Sequence, residues 1–360
     1  MSLKVSIIIV CYNEERFIRD CVGSVLEQDY PREDYEVIVV DNASQDRCPQ
    51  IVAEEFPSVK LVRASANLGL PAGMNAGLPH AQAQRVVMLA CDTCVPRAWL
   101  AALMRPMDDD PTVKVTHAAM VIPGDADYEE NLKARATPKF AAYHEMSRLS
   151  LIEPHWVPTT AAPIPTLHIA GASAALDISI LDELGGYMLD GDFFLDCDEV
   201  DLGFRVNSLG YKVLAVPAAA YYHRHPFNTK MKFSRPLFRR LRRLQRNKAL
   251  CFYKNMHPLE FFACLPLYLF GGALKPLVYG ERFSLLQRLA YSAGLEFFVW
   301  FGFLTAVFGW FPRFAAKRRV SLKNRRQPPF WFFKQLFKRP ALEKKPEFVT
   351  HLKPATEPGH

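Results

Sequence analysis

Four short aliphatic runs, each closed by a polar turn and most of them followed by a helical period, constrain this chain more than any other feature. Val5-Ser6-Ile7-Ile8-Ile9-Val10 leads into Cys11-Tyr12-Asn13-Glu14. Phe17, Ile18, Cys21, Val22, Val25 and Leu26 then recur on one face, which predicts a helix over 14–28. Tyr35–Val40 is a second run and ends at Asp41-Asn42-Ala43-Ser44. A helix over 46–56, a strand over Val59–Arg63 and a helix opened by Asn67–Gly77 follow, and Arg85–Ala90 is a fourth strand ending in Cys91-Asp92. Strands separated by helices join through right-handed crossovers, so the expectation is an α/β chain with a mostly parallel sheet. Ligands bind such sheets beyond the carboxyl ends of the strands, and Tyr12, Asp41 and Asp92 all sit at such ends. Each also has a plainer reading as turn chemistry or a helix cap.

Leu195-Asp196-Cys197-Asp198-Glu199-Val200-Asp201-Leu202-Gly203-Phe204-Arg205 places four carboxylates in six residues, yet ties them to an interior through its apolar positions. Crowded carboxylates repel, so at least one should have a raised pKa, which suits a general base. Acidic residues also favour the N-terminus of a helix, here expected from Val200 to Leu209, and both readings can hold together. Asp201 is expected to cap that helix or fix neighbouring loops, and Arg205 to pair one turn back.

At 360 residues, half of them apolar, the chain is long enough for a large core. Its eight irregularly spaced cysteines do not read as a disulfide framework, and the first residues run straight into a strand, so a reducing, cytosol-facing catalytic part is expected. Residues 1–222 carry 17 Lys+Arg against 31 Asp+Glu, and residues 223–360 carry 27 against 6. An acidic half followed by a basic, aromatic half suggests two jobs, the second at an anionic membrane surface rather than on nucleic acid.

Taken in order, these motifs resemble the inverting family-2 glycosyltransferases with the GT-A fold, a Rossmann-like nucleotide-sugar-binding architecture. The resemblance rests on Val5–Glu14, on Ile38–Asp46, on Asn67-Leu68-Gly69 with Gly73-Met74-Asn75-Ala76-Gly77, and on Gly185-Gly186-Tyr187 through Arg205. It covers about residues 3–250 and is nearest in look to rhamnosyltransferase-like enzymes of lipid-linked glycans. No Gln-x-x-Arg-Trp is present, so single addition is expected rather than processive synthesis.

The resemblance implies that Asp41 holds the nucleotide base, with Val10, Cys11, Tyr12 and Glu14 around it and Asn67, Ala72 and Asn75 near the nucleotide. Cys91 and Asp92 fall in the metal motif, whose first position is Ala90, so that residue cannot help hold ribose or metal. Asp92 and His223 would hold Mn2+ or Mg2+, with His225 the competing ligand. The usual Glu-Asp pair is inverted to Asp198-Glu199; Glu199 takes the place of the base and Asp198 is the alternative. From the residues themselves, Gly171 and Ala172 either leave room for backbone to approach an acceptor or form a simple tight packing site. Residues 123–165 are expected to form a variable excursion on the acceptor side.

Beyond the catalytic domain, 1–230, residues 231–340 are expected to form a membrane-association region and 341–360 a disordered tail. Leu237, Phe238, Leu241 and Leu244 share a helical face against a crowd of arginines, as in a helix lying in a headgroup layer. Phe261–Leu274 is short for a span, and Leu289–Phe311 is interrupted by Glu296, so in-plane attachment is favoured over a hairpin. The expected function is metal-dependent, inverting transfer of one sugar from a nucleotide-sugar donor to a membrane-held, polyprenyl-linked acceptor at the cytoplasmic face of the cell membrane. The rivals are a non-catalytic nucleotide-sugar-binding scaffold and a nucleotidyltransferase; Cys11–Glu14 lacks the Gly-rich, basic loop that the second needs.

Overall fold

The computed structural model describes residues 3–121, 128–146, 152–169, 172–224, 235–279 and 285–338. The expected alternation runs β1 (Val5–Cys11), α1 (Glu15–Leu26), β2 (Tyr35–Asp41), α2 (Cys48–Glu55), β3 (Lys60–Arg63), α3 (Leu70–Gly77) and β4 (Arg85–Ala90). These strands pair in parallel in the order β3-β2-β1-β4, with Val10 level with Val40 and Ala90. The side chains of β1, β2 and β4 are buried on both faces, as unbroken aliphatic runs require, whereas edge strand β3 is half-exposed.

Past β4 the sheet changes character. A two-residue strand β5 (Thr93–Cys94), helix α4 (Trp99–Asp109) and strand β6 (Val113–Val121) lead to α5 (Tyr128–Ala134), β7 (Phe140–Met146), β8 (Ile152–Pro158), β9 (Ile164–Pro165) and β10 (Ser173–Asp177). β10 inserts antiparallel between β4 and β6; helix α6 (Asp198–Ser208) then leads to β11 (Lys212–His223), parallel to β6. The sheet is therefore mixed rather than mostly parallel. β10 arrives from a long excursion rather than from a crossover helix, so nothing obliges it to run with its neighbours. Part of the expected excursion over 123–165 is itself a hairpin, β7 against β8, extending from β6.

One face of the sheet packs on α1, α2 and α4 around Trp99, and the other on α3, α6 and the segment through Met188. A third apolar cluster joins Phe193, Val200 and Phe204 to five C-terminal helices: α7 (Arg235–Asn255), α8 (Pro258–Tyr279), α9 (Leu285–Gly309), α10 (Phe311–Asn324) and α11 (Trp331–Lys338). Pro266 lies inside α8 without ending it. α9 stops near Trp310, where Pro312 in the first turn opens α10, and the two helices meet at 81°. Among the described residues no single helix is long and apolar enough to cross a membrane.

Candidate active site

A cleft of about 330 Å3 opens beyond the carboxyl ends of β1, β2 and β4. Val10, Tyr12, Glu14, Asn42, Asn67, Cys91 and Asp92 line one side; Phe194 and Leu195, just before α6, line the other. Asn42 ties the floor together: its amide donates to Asn67 Oδ1 and to the Gly69 carbonyl, both at 3.2 Å, and its oxygen accepts from the Leu68 amide at 3.0 Å. Gly69, at φ 79°, brings the two sides together, and the Leu70 amide donates to the Phe194 carbonyl at 3.0 Å. A Cβ on Gly69 would lie 2.4 Å from that carbonyl oxygen, so only glycine fits.

Six of the expected nucleotide residues line this cleft: Val10, Tyr12, Glu14, Asn67, Cys91 and Asp92. Four do not. Cys11 is wholly buried in the core, where its thiol meets Cys48. Asp41 is buried at the end of β2, accepts from the Ser44 amide at 2.9 Å and has Arg63 Nε at 3.5 Å from Oδ2, an oxygen with no hydrogen bond. Asn75 spends its amide on a two-way bond to the Leu189 backbone, at 2.6 and 3.1 Å. Ala72 packs toward Gly191. Past Leu70, which lines the cleft, α3 therefore braces the wall that carries Phe194. Of the acceptor-side pair, Gly171 lies outside the described residues; the Ala172 amide donates to Tyr221 Oη at 3.2 Å and its carbonyl accepts from Ala90 at 2.8 Å. Asn42, Gly69, Leu70 and Phe194 were missed. Asn42 adjoins Asp41 in a strand-end motif and could have been found there; Phe194 carries no comparable signal.

Asp92 and His223 come from strands far apart in sequence. β5 and β11 pair antiparallel, with Thr93 opposite His223, and the Arg224 amide donates to the Asp92 carbonyl at 2.8 Å. His223 Nε2 consequently stands 3.5 Å from Asp92 Oδ2. One carboxylate oxygen and one imidazole nitrogen on the cleft edge suit a divalent cation completed by ligand oxygens. Among the described residues no three His, Cys, Asp or Glu gather as a metal site, so a cation here would need the donor or water for the rest of its shell. His225 lies outside the described residues.

The acid helix begins after a contorted loop. Phe194, Asp196 and Cys197 have φ of 65°, 70° and 68°, and Cys197 is the residue before α6. Asp198 is buried, whereas Glu199 is partly exposed. Burial, and then the charge of Glu199, raise Asp198 well above the carboxylate range, and its Oδ1 is buried without a hydrogen bond. Burial raises Glu199 as well, opposed by a hydrogen bond from Asp198 that lowers it. Burial thus raises both carboxyls, so the pair holds on to a proton above the ordinary carboxylate range. Tyr221, pushed up by burial, also feels the charges of both Asp92 and Glu199, so the two carboxylates lie within electrostatic reach of one hydroxyl.

Asp201 and Arg205 hold α6 in place, as expected. Arg205 Nε donates to Asp201 Oδ2 at 2.9 Å, and its other nitrogens donate to the carbonyls of Leu184, Tyr187 and Met188. Lys254, fully buried on α7, donates to Asp201 and Asp190 at 2.8 Å each. Burial opposes ionisation of Asp190, but Lys254 and Lys317 pull it down to about 2.

Comparison with known proteins agrees with this geometry. The model of the family described as Glycosyl transferase family group 2 matches residues 85–312, and that of Glycosyl transferase family 2 matches residues 6–162. Glycosyltransferase AglE of Haloferax volcanii is 32% identical over 99 residues, covering 27% of this chain and 33% of that protein. Dolichyl-phosphate beta-glucosyltransferase ALG5A of Trichomonas vaginalis is 27% identical over 146 residues, covering 38% of this chain and 44% of its own. The chain therefore spans less than half the length of these two relatives. A solved structure of the mannosyltransferase PcManGT from Pyrobaculum calidifontis, in complex with GDP-Man and Mn2+, superposes with a TM-score of 0.53 at 20% identity, covering 90% of this chain and 86% of that one. At that identity the likeness is one of fold.

Proposed function

The chain belongs to the family 2 glycosyltransferases, and from that premise we propose that it is a metal-dependent, inverting enzyme moving one sugar from a nucleotide-sugar donor to an acceptor held at a membrane surface. The observation that carries this reading is the approach of His223 Nε2 to Asp92 Oδ2, 3.5 Å, at a cleft of nucleotide size whose other wall, Phe194 and Leu195, runs on into the start of α6 and Glu199. Tyr12, Glu14, Asn42 and Asn67 would grip the nucleoside. Asp92 and His223 would hold Mn2+ or Mg2+, which supplies charge neutralisation for the departing diphosphate. Glu199 would take the acceptor hydroxyl's proton as that oxygen attacks the anomeric carbon from the face opposite the leaving group. With the pair's proton on Asp198, Glu199 would be available as the acceptor of the next one.

Ala90, in place of the first motif acid, favours one rival, a non-catalytic scaffold that binds nucleotide sugars. Incubating the purified chain with UDP-, GDP- and dTDP-sugars, with and without Mn2+, separates the two. A donor that raises the melting temperature and releases nucleoside diphosphate supports the enzyme; stabilisation without release under any metal supports the scaffold. Glu199→Gln is expected to lower turnover by about 10²–10⁴-fold while donor stabilisation persists. Near-normal turnover in that variant would move the base to Asp198.

The acceptor side of the proposal draws on the C-terminal helices. Phe262 and Phe270 on α8, and Phe297, Trp300, Leu304 and Phe308 on α9, are exposed. Arg239, Arg240, Arg242 and Arg243 lie on α7 nearby, with Arg242 over the Phe301 ring. Aromatic groups beside arginines suit the interface of an anionic bilayer. ALG5A, by its name, acts on dolichyl phosphate, and a polyprenyl-linked acceptor is the corresponding proposal here. That no single described helix is long and apolar enough to cross a membrane supports attachment in the membrane plane, with the pair bent by 81° after α9 as the alternative broken span or re-entrant loop. Its eight buried free thiols suit the cytoplasmic face.

A further inference from the structure

Asn247, on α7, is completely buried far from the metal pair in sequence. Its side-chain nitrogen donates to three main-chain carbonyls, those of Phe193 at 3.0 Å, Leu195 at 2.9 Å and Asp196 at 2.9 Å. Its oxygen accepts from Arg246, Nε at 3.0 Å and Nη2 at 2.6 Å, which fixes the amide's orientation. The segment it grips, residues 193–196, contains two non-glycine residues in the left-handed region, Phe194 and Asp196, and Cys197 follows as a third. Such residues are strained and persist only where their surroundings over-determine them. No side chain caps the N-terminus of α6, so the helix starts directly from the shape of this segment. Phe194 and Leu195 form one cleft wall, and Asp198 and Glu199 are the next residues to follow.

We propose that Asn247 is a positioning residue: from the basic C-terminal region it clasps residues 193–196 in the left-handed shape that sets both the cleft wall and the stance of Glu199. The inference rests on the glycosyltransferase reading above and makes α7 part of the catalytic apparatus. Lys254 and Asn255 hold the same helix one turn further on, through the Asp201 side chain, with the Asn255 amide 2.8 Å from Asp201 Oδ1. Asn247 differs in acting on the backbone of the loop itself.

The test uses the full chain and compares Asn247→Ala with Tyr268→Phe, which removes a buried hydrogen bond to the Gln245 carbonyl of the same helix without touching the loop. Asn247→Ala is expected to lower kcat by about 10–100-fold, the scale on which a small misplacement of a reacting group acts. It should also move the acid limb of the kcat profile toward the ordinary carboxylate range, as water reaches the acid pair, and speed hydrogen exchange across residues 190–200. Tyr268→Phe should lose stability with kcat, pH limb and that exchange unchanged. If Asn247→Ala does not fold, Asn247→Ser, which keeps a short donor, is read in its place. An Asn247 variant that matches Tyr268→Phe in all three readouts overturns the clasp. A wild-type chain that turns over no donor overturns the glycosyltransferase reading instead; the exchange arm then decides, faster exchange upholding the clasp and unchanged exchange overturning it.

Discussion

Adjacent carboxyls in a low-dielectric setting cannot both ionise, and the more deeply buried of the two is the harder to ionise. Asp198 is 2% exposed, and this asymmetry distinguishes two residues that the sequence left equivalent. It also fixes a pH dependence. The folded-state pKa of Asp198 lies above its ordinary 3.8, so the native chain binds a proton that the unfolded chain has released. Its contribution to stability is full below that value and declines as pH rises toward the folded pKa. Asp198→Asn should flatten the fall of melting temperature with pH above 4, measurable by thermal melts from pH 4 to 8; an unchanged slope would mean that Asp198 ionises freely. Asn75 and Asn42 teach a second lesson at this scale. Each is a short amide, Asn42 just past the end of β2 and Asn75 on α3, but Asn75 is committed to the Leu189 backbone whereas Asn42 lines the cleft. The direction of a side chain separates them, and composition does not encode it.

The placement of α6 depends on an approach between backbones. A Cβ on Gly203 would stand 2.4 Å from His168 Cα and 2.9 Å from the Ile169 nitrogen, all main-chain atoms that cannot yield. Gly203→Ala should therefore push the helix outward, costing about 1–3 kcal/mol as overpacking does, and lowering kcat more than it weakens donor binding. Gly294→Ala on α9 is the comparison: no atom lies within 4 Å of its Cβ, so a small gain of about 0.4–1 kcal/mol is expected. Chemical denaturation with parallel kinetics measures both, and equal activity in the two variants would deny α6 its role as the carrier of the base. The strands obey the same logic. β1, β2 and β4 announce themselves because they are buried on both faces; two-residue β5 does not, yet its pairing with β11 brings His223 to Asp92.

Across the whole molecule, the acidic and basic halves interlock. Lys254 of α7 and Lys317 of α10 meet Asp190, Asp192 and Asp201 beneath the cleft wall, and Arg313 of α10 meets Asp192 at 2.6 Å. Removing one member of a buried set strands its partners, so Lys254→Met is expected to cost about 3–5 kcal/mol in equilibrium unfolding. Arg239 and Arg242 of α7 and the exposed aromatics of α8 and α9 remain for an external surface, whereas Arg240 and Arg243 reach Asp196 at 3.8 Å and Arg246 is bonded to Asn247. Co-flotation with vesicles should be strong for anionic bilayers, weaker at high salt, and reduced by Phe262→Ser with Phe308→Ser, with fold and donor binding retained; equal flotation of wild type and variant would remove the membrane proposal.

Periodicity and burial alone determined the first four strands, their helices and the carboxyl-end crevice, because an aliphatic run has few places to go but a sheet interior. The acid stretch was legible as chemistry for a similar reason: four carboxylates amid Val200, Leu202 and Phe204 must enter an interior together. Only the tertiary structure decided the antiparallel entry of β10, the strand pairing that sets His223 3.5 Å from Asp92, the deep burial of Asp198 and the hold of Asn247 on residues 193–196. Those depend on distances between segments scores of residues apart, and local pattern carries no record of which distant backbone will arrive beside it.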